Sequence, residues 1–81
     1  MIKEYDRVVL TKPLPEFELV PGDVGTVVMI HSRTKGYTVE FMTLSGTTVA
    51  VATVDADFVR PIRELEVTHA REVSKIPEHI I

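Results

Sequence analysis

The chain contains no cysteine and no tryptophan, and only four of its 81 residues are glycine. Without cysteine there can be no disulfide, no thiolate metal ligand and no cysteine nucleophile. The glycines are scattered along the chain, so no glycine-rich phosphate-binding loop is present. No run approaches the roughly 18 consecutive apolar residues of a membrane span, and the N-terminus is charged where a signal peptide is apolar. We therefore expect a soluble cytoplasmic protein.

The balance of charge is slightly acidic. Nine lysines and arginines stand against twelve aspartates and glutamates, which gives a net charge of −3. This balance argues against a protein held to nucleic acid mainly by the release of counterions. The length allows one small domain, and a chain this short buries only about 60% of the surface that its unfolded form exposes. The core is therefore expected to be marginal unless an extra segment or a partner adds contact area.

The first 62 residues read as short extended segments separated by turn residues, which is typical of a small all-β barrel. The predicted strands cover residues 6–10, 24–31, 37–42, 48–54 and 58–62. Pro13, Pro15 and Pro21 predict a long irregular loop between the first two strands, because proline cannot donate to a sheet ladder. Gly25 lies inside the second strand, where we expect a bulge or a close approach of backbone.

A long first loop, a polar hairpin and a single turn before the last strand resemble the order of elements in SH3-like barrels, including the KOW type of translation factors. Residues 5–10 (YDRVVL), 21–28 (PGDVGTVV), 37–41 (YTVEF) and 59–61 (VRP) resemble the bacterial family called domain of unknown function 4926. The resemblance covers about residues 1–62. It implies a five-stranded SH3-like barrel in a bacterial cytoplasm and transfers no catalytic residue.

Residues 63–81 differ in character from the predicted barrel, since charges are dense and glycine is absent. Helical spacing places one set of residues on a single stripe, namely Ile62, Leu65, His69, Val73, Ile76 and Ile80. Residues 64–68 also alternate with a period of two, which favours a strand. The sequence thus predicts a C-terminal extension, either a helix or an extra strand, that packs on the barrel or on a partner subunit.

Two predicted strands carry more apolar residues than a closed barrel needs. Residues 24–30 and 49–54 are apolar on both faces, whereas a barrel strand needs one apolar face. Burying one valine or isoleucine side chain gains roughly 1.5–3 kcal/mol, so an uncovered face would favour association. We expect the tail and a second copy of the chain to cover it together, in a homodimer or a higher oligomer.

Candidate contact residues lie in the long loop, the fourth strand and the tail. In SH3-like folds the loop between the first two strands borders the ligand groove, so its apolar side chains are natural protein contacts. The alternative is that two of the four loop residues plug the end of the barrel. The protein-contact candidates are Leu14, Phe17, Leu19, Val20, Val49, Val51, Leu65, Val73 and Ile76.

The polar loop at residues 32–36 holds the weak nucleic-acid candidates Arg33 and Lys35. KOW-like barrels bind RNA and ribosomal proteins through loops, which is what the resemblance implies for this one. Base stacking needs exposed aromatic rings, however, and few are available here. A solvated hairpin tip explains the loop equally well.

Groups that could support catalysis are sparse. The three histidines have no metal-ligand spacing, and no serine lies in a nucleophile elbow. Asp55 and Asp57 resemble paired catalytic carboxylates, but such residues more often cap a turn. We therefore predict no enzymatic activity, no metal and no cofactor.

The expected function is a self-associating protein-interaction module. The alternative is an antitoxin-like or regulatory protein that binds a cognate protein, such as a neighbouring gene's product, or nucleic acid.

Overall fold

The computed structural model describes residues 1–74. They contain five strands, which form one antiparallel sheet. Its strands are β1 (Arg7–Leu10), β2 (Val24–His31), β3 (Gly36–Met42), β4 (Thr48–Asp55) and β5 (Val59–Pro61). Their order in the sheet is β4-β3-β2-β1-β5. The predicted all-β fold with five strands is confirmed, and each predicted strand agrees with the observed one to within one residue at either end.

The core lies on one face of the sheet because apolar residues alternate along its strands. In β3, Val39 and Phe41 are buried, whereas Thr38 and Glu40 between and beside them are partly exposed. Gly25 in β2 lies directly beneath the same two core residues. A Cβ atom placed on Gly25 would lie 2.5 Å from Cγ1 of Val39 and 2.9 Å from Cε1 of Phe41. Gly25 is therefore closely approached by two side chains, rather than by the backbone expected there, and the bulge of β2 lies at Val28.

Two register shifts interrupt the regular alternation. One falls between Val27 and Met29 in the pairing of β2 with β3, and it leaves Val28 as an extra residue. The other falls between Phe41 and Met42 in the pairing of β3 with β4. There the extra residue is Val49, which is buried in the core together with its neighbour Ala50. Regular alternation along β4 predicts that Val49 shares a face with Val51, and this is wrong because the bulge turns Val49 inward.

The loop between β1 and β2 is more ordered than its prolines suggest. Pro15–Phe17 form one turn of 3₁₀ helix, with proline in its first turn, where the missing N–H costs no hydrogen bond. Leu14 and Leu19 flank this turn, pair through an isolated bridge and are buried in the core. The loop thus closes on itself, and two of its four apolar candidates fill the domain interior.

The expected helix or extra strand in the tail is not found in its described part. Residues 63–74 form neither element. Glu66 instead binds Arg60 of β5, and Arg71 binds Asp23 before β2. These contacts hold the segment in an irregular conformation. Ile76 and Ile80 of the predicted stripe lie outside the described residues.

Candidate interaction surface

The face of the sheet opposite the core, here called the outer face, carries large apolar side chains. Val24, Met29, Met42 and Val51 point to this side, and each is between 40% and 51% exposed. Val24, Met29 and Val51 belong to the surplus of apolar residues that the sequence indicates for the second and fourth strands, and Met42 of β3 joins them. In the single chain, the described part of the tail leaves these four side chains partly open to solvent.

One residue of the outer face is nevertheless well covered. Val9 alternates with the core residues Val8 and Leu10, is only 6% exposed, and stands outside the main core cluster. It pairs with Val24 on one side and Arg60 on the other. Val9 therefore belongs to a small second apolar layer, formed where the start of the tail passes over the sheet.

An apolar groove, here called the outer groove, opens beside this layer. It has a volume of about 570 Å³. Its lining includes Val9, Val24 and Met42 from the sheet, Ile62 directly after β5, and Val67 from the tail. A second groove of about 550 Å³ shares Val24, Met42 and Val67 and continues towards Leu44 and Val73. The tail at Val67 and Thr68 forms a wall common to both grooves.

An ion pair fixes the tail at its entry to the groove. Arg60 donates from Nη1 to Oε1 of Glu66 at 3.1 Å and from Nη2 to Oε2 at 2.5 Å. The backbone N–H of Arg63 also donates to Oε1 of Glu66, at 2.6 Å. These three donors lower the pKa of Glu66 to about 2, with the Arg60 hydrogen bond as the largest cause, and the same contact raises the pKa of Arg60.

A second set of contacts holds the other end of the described tail. Arg71 reaches the carboxylate of Asp23 and the backbone carbonyl of Glu18, and Asp23 raises the pKa of the Arg71 guanidinium. Ser74 donates from its backbone N–H to Oε1 of Glu18 at 3.0 Å and from its hydroxyl to Oε2. Val73, between them, packs against the core. The tail is thus attached to the domain at two separated places, with the grooves between them.

The predicted protein-contact residues fall into three groups. Leu14, Leu19 and Val49 are core residues, so their side chains are not available to a partner in this conformation. Phe17 and Val73 are half-buried against the core, whereas Val20, Val51 and Leu65 are exposed. Ile76 lies outside the described residues. The structure brings Leu19, Val49 and Val73 to the lining of one groove and leaves Val51 and Leu65 apart from both grooves.

The weak nucleic-acid candidates occupy the tip of the hairpin between β2 and β3. Arg33 and Lys35 are exposed, and Lys35 adopts a left-handed backbone conformation with φ of 56°. Nearby, Nε2 of His31 lies 2.7 Å from Oγ1 of Thr38, which in turn contacts Thr53 at 2.9 Å. His31 therefore takes part in a cross-strand polar row at the root of this hairpin.

The two aspartates near β5 have different surroundings. Asp55 makes no capping hydrogen bond with its side chain, so its predicted role as a cap is wrong. Asp57 accepts from Nζ of Lys12 at 2.6 Å, and this contact lowers the pKa of Asp57. The carboxylate therefore ties the turn after β4 to the loop after β1.

Among residues 1–74, no group of three or more histidines, cysteines and acidic residues could hold a metal, and no helix is long and apolar enough to cross a membrane.

These features define a small all-β domain whose described tail walls an apolar groove on the outer face of a five-stranded sheet. Residues 4–61 match the family model described as domain of unknown function (DUF4926). The match covers more than half of the chain, which therefore belongs to this family, as its residue pattern predicts. No curated protein and no solved structure matches the chain.

Sequence reasoning missed most of the outer groove. Met42, Ile62 and Val67 line it, but none of them is predicted as a contact residue. Met42 ends a strand whose clean alternation with Phe41 places it on the outer side, and that signal was available. Ile62 belongs to the predicted helical stripe, but its place in the groove and that of Val67 depend on the path of an irregular segment, which no local pattern predicts.

Proposed function

We propose that this chain is a non-catalytic protein-interaction module that associates with a second copy of itself. The observation that supports this proposal is the partly exposed apolar outer face, with Val24, Met29, Met42 and Val51 at its centre. Val24 and Met42 lie beside each other on this face, and Thr26 and Glu40 separate them from Met29. Exposed apolar side chains gathered on one face and bordered by polar residues often mark an interaction surface.

The energetic scale of such a patch supports association. Full burial of a valine or methionine side chain gains roughly 1.5–3 kcal/mol, so a half-exposed one can still gain about 1 kcal/mol on contact. Several such residues together match a large fraction of the net stability of a small domain, which is about 5–15 kcal/mol. We choose a second copy as the partner because every copy carries the same surplus apolar residues on its strands.

The proposed module is of the SH3-like barrel type. The strand order β4-β3-β2-β1-β5, the long loop before β2 and the single 3₁₀ turn Ala56–Phe58 before β5 support this comparison. In such folds the long first loop and neighbouring strands present binding surfaces while the barrel supplies rigidity. The outer groove lies next to the end of that loop, at Gly22 and Val24.

Light scattering on the purified full chain tests self-association. We expect a discrete mass that is a whole multiple of the 9.1 kDa protomer and that falls on dilution from millimolar to micromolar concentration. A mass of 9.1 kDa throughout that range contradicts the proposal. A mass that rises without limit also contradicts it, because that behaviour indicates non-specific aggregation rather than a closed interface.

The antitoxin-like or regulatory alternative makes a different prediction in the same experiment. The isolated chain would then be a monomer of low stability, and co-expression with its cognate protein would yield a complex of defined stoichiometry. If nucleic acid were the partner, binding would weaken steeply with salt and would be lost in the double variant Arg33→Ala/Lys35→Ala. Either result replaces the proposed function.

A further inference from the structure

The two edges of the sheet are protected to very different degrees. Natural proteins blunt exposed sheet edges with short strands, prolines or charged side chains, since an open edge is a template for another strand. At one edge, β5 has only three residues and ends in Pro61, so it satisfies this rule. At the other edge, β4 has eight residues and contains no proline.

The β4 edge also lacks charge along nearly all of its length. Its sequence is TVAVATVD, so the one charged residue is Asp55 at its end. Within residues 1–74, β4 pairs with β3 and with no other strand, which leaves its far side without a strand partner. The bulge at Val49 is confined to the start of the strand. Residues 50–54 therefore present a regular, uncharged edge.

We infer that β4 pairs in antiparallel fashion with β4 of a second copy, around a two-fold axis at Ala52. This inference rests on the proposed self-association and adds an edge contact to it. Of the four partly exposed residues of the outer face, Val51 lies on β4 and enters the seam. The pairing places Ala50 opposite the second copy's Val54 and Val51 opposite the second copy's Thr53. Ala52 lies opposite its own counterpart, and two five-stranded sheets become one sheet of ten strands.

The side chains of β4 suit a copy of the same strand. Ala50, Ala52 and Val54 face the core side, so the pairing joins small or medium apolar residues there. On the outer face, Val51 is 43% exposed and would meet threonine, and cross-strand pairs of β-branched residues stabilise a sheet. In this register Asp55 lies opposite the second copy's Val49. The Asp55 carboxylates of the two copies therefore lie at opposite ends of the paired strands.

A mixed cross-linking experiment tests the pairing and its register. The natural chain has no cysteine, so each introduced thiol is the only one present. Val51→Cys and Thr53→Cys chains are mixed and oxidised. Directly opposite residues have Cα atoms about 4.5–5.5 Å apart, which falls within the range that a disulfide can span. We expect a mixed disulfide between the two variants in high yield.

Each variant alone provides the matched control. In the proposed register, the two copies of residue 51 are offset by two positions, so their Cα atoms are about 8 Å apart and too far for an unstrained disulfide. Val51→Cys alone should therefore cross-link several times less than the mixture. Equal yields from the mixture and from Val51→Cys alone overturn the inference. So does a mixture that yields no more cross-linked dimer than Ile30→Cys, a partly exposed residue of β2 that lines neither groove.

A charge on the β4 edge gives an independent test. Val51→Lys should reduce the light-scattering mass to that of the protomer, because a lysine on an edge strand opposes further pairing. Ile30→Lys is the control, since Ile30 is 38% exposed and lies on β2, which β3 separates from β4. Circular dichroism should show that both variants remain folded. A Val51→Lys chain that keeps the wild-type mass overturns the inference.

The outcomes separate this inference from the proposed function. If the natural chain is a stable oligomer but the mixed disulfide does not form, self-association stands and the β4 seam is wrong. If the natural chain has the mass of one protomer at every concentration, both fail.

Discussion

Arg71 and Asp23 form a two-point contact between the tail and the turn before β2. Nε of Arg71 donates to Oδ1 of Asp23 at 2.9 Å, and Nη2 donates to Oδ2 at 2.5 Å. The two residues are 48 positions apart in the chain. Asp23 also accepts from the backbone N–H of Val20, so its carboxylate is already fixed by the turn when Arg71 reaches it. This arrangement makes Asp23 a firm attachment point for the tail.

Removing the guanidinium should release the end of the described tail. In Arg71→Gln the two-point contact is lost, and we expect the amide hydrogen of Ser74 to exchange faster, because its acceptor Glu18 lies beside the same contact. The loss of global stability should be small, at most about 1 kcal/mol, as is usual for ion pairs near the surface. Hydrogen exchange followed by nuclear magnetic resonance measures both effects.

Arg33→Gln serves as the control for this prediction, since it removes the same charge from the exposed hairpin tip. An unchanged exchange rate for Ser74 in Arg71→Gln would show that the tail is held by its other contacts.

The Arg60–Glu66 contact predicts a defined pH dependence. The pKa of Glu66 is lowered from 4.5 to about 2 in the folded chain. Because the folded pKa lies below the unfolded one, the contact stabilises the fold fully above about pH 4.5, and this contribution is lost as the pH falls towards 2. The difference in stability between the natural chain and Glu66→Gln should therefore shrink on acidification through that range.

The corresponding measurement is a carboxyl titration of Glu66 by nuclear magnetic resonance in the natural chain and in Arg60→Gln. The midpoint should move up towards the ordinary glutamate value in the variant, since Arg60 is the largest cause of the shift. A midpoint that stays low would assign the shift to the Arg63 backbone donor instead.

Gly25 should not tolerate even a methyl group. A Cβ atom there would lie 2.5 Å from Cγ1 of Val39, which is fully buried, so either Val39 or the backbone at Gly25 must shift to make room. We expect Gly25→Ala to lower the free energy of unfolding by about 1–3 kcal/mol, the usual cost of overpacking a core. Chemical denaturation gives the value.

A double variant checks the cause of this loss. Val39→Ala alone should destabilise the fold by about 2 kcal/mol through the cavity it leaves. Combined with Gly25→Ala it should cost less than the two losses added together, because the new methyl group occupies part of that cavity. Simple additivity would mean that the clash with Val39 is not the reason.

The two aspartates near β5 should behave differently although they look alike in sequence. Asp57→Asn removes the partner of Lys12, which lies 2.6 Å away and also sits over the ring of Phe58. We expect a lower melting temperature for Asp57→Asn and little change for Asp55→Asn, which has no capping bond to lose. The effect of Asp57→Asn should fade below the ordinary aspartate pKa, because Lys12 lowers the pKa of Asp57 and protonation removes the contact. Equal melting temperatures at neutral pH would contradict this assignment.

Much of the sheet could be predicted from local patterns. The alternation from Tyr37 to Phe41 identifies a half-buried strand, and the turn at Pro21 and Gly22 marks the start of the next one. The positions of Val49 and Val9 could not be predicted in this way. The bulge beside Phe41 turns Val49 inward, and burial of Val9 depends on a tail that lies far away in sequence. Strict alternation along β4 and β1 predicts that both side chains are exposed on the outer face, whereas both are buried.

The sequence by itself determined the class of fold, the limits of the strands and the excess of apolar residues on the second and fourth strands. These are properties of side-chain period and turn chemistry, which act over a few residues. The tertiary structure alone decided which apolar residues remain open, because that depends on strand order, on two bulges and on the ion pairs Arg60–Glu66 and Arg71–Asp23. Such contacts join residues distant in the chain, and no local pattern encodes them.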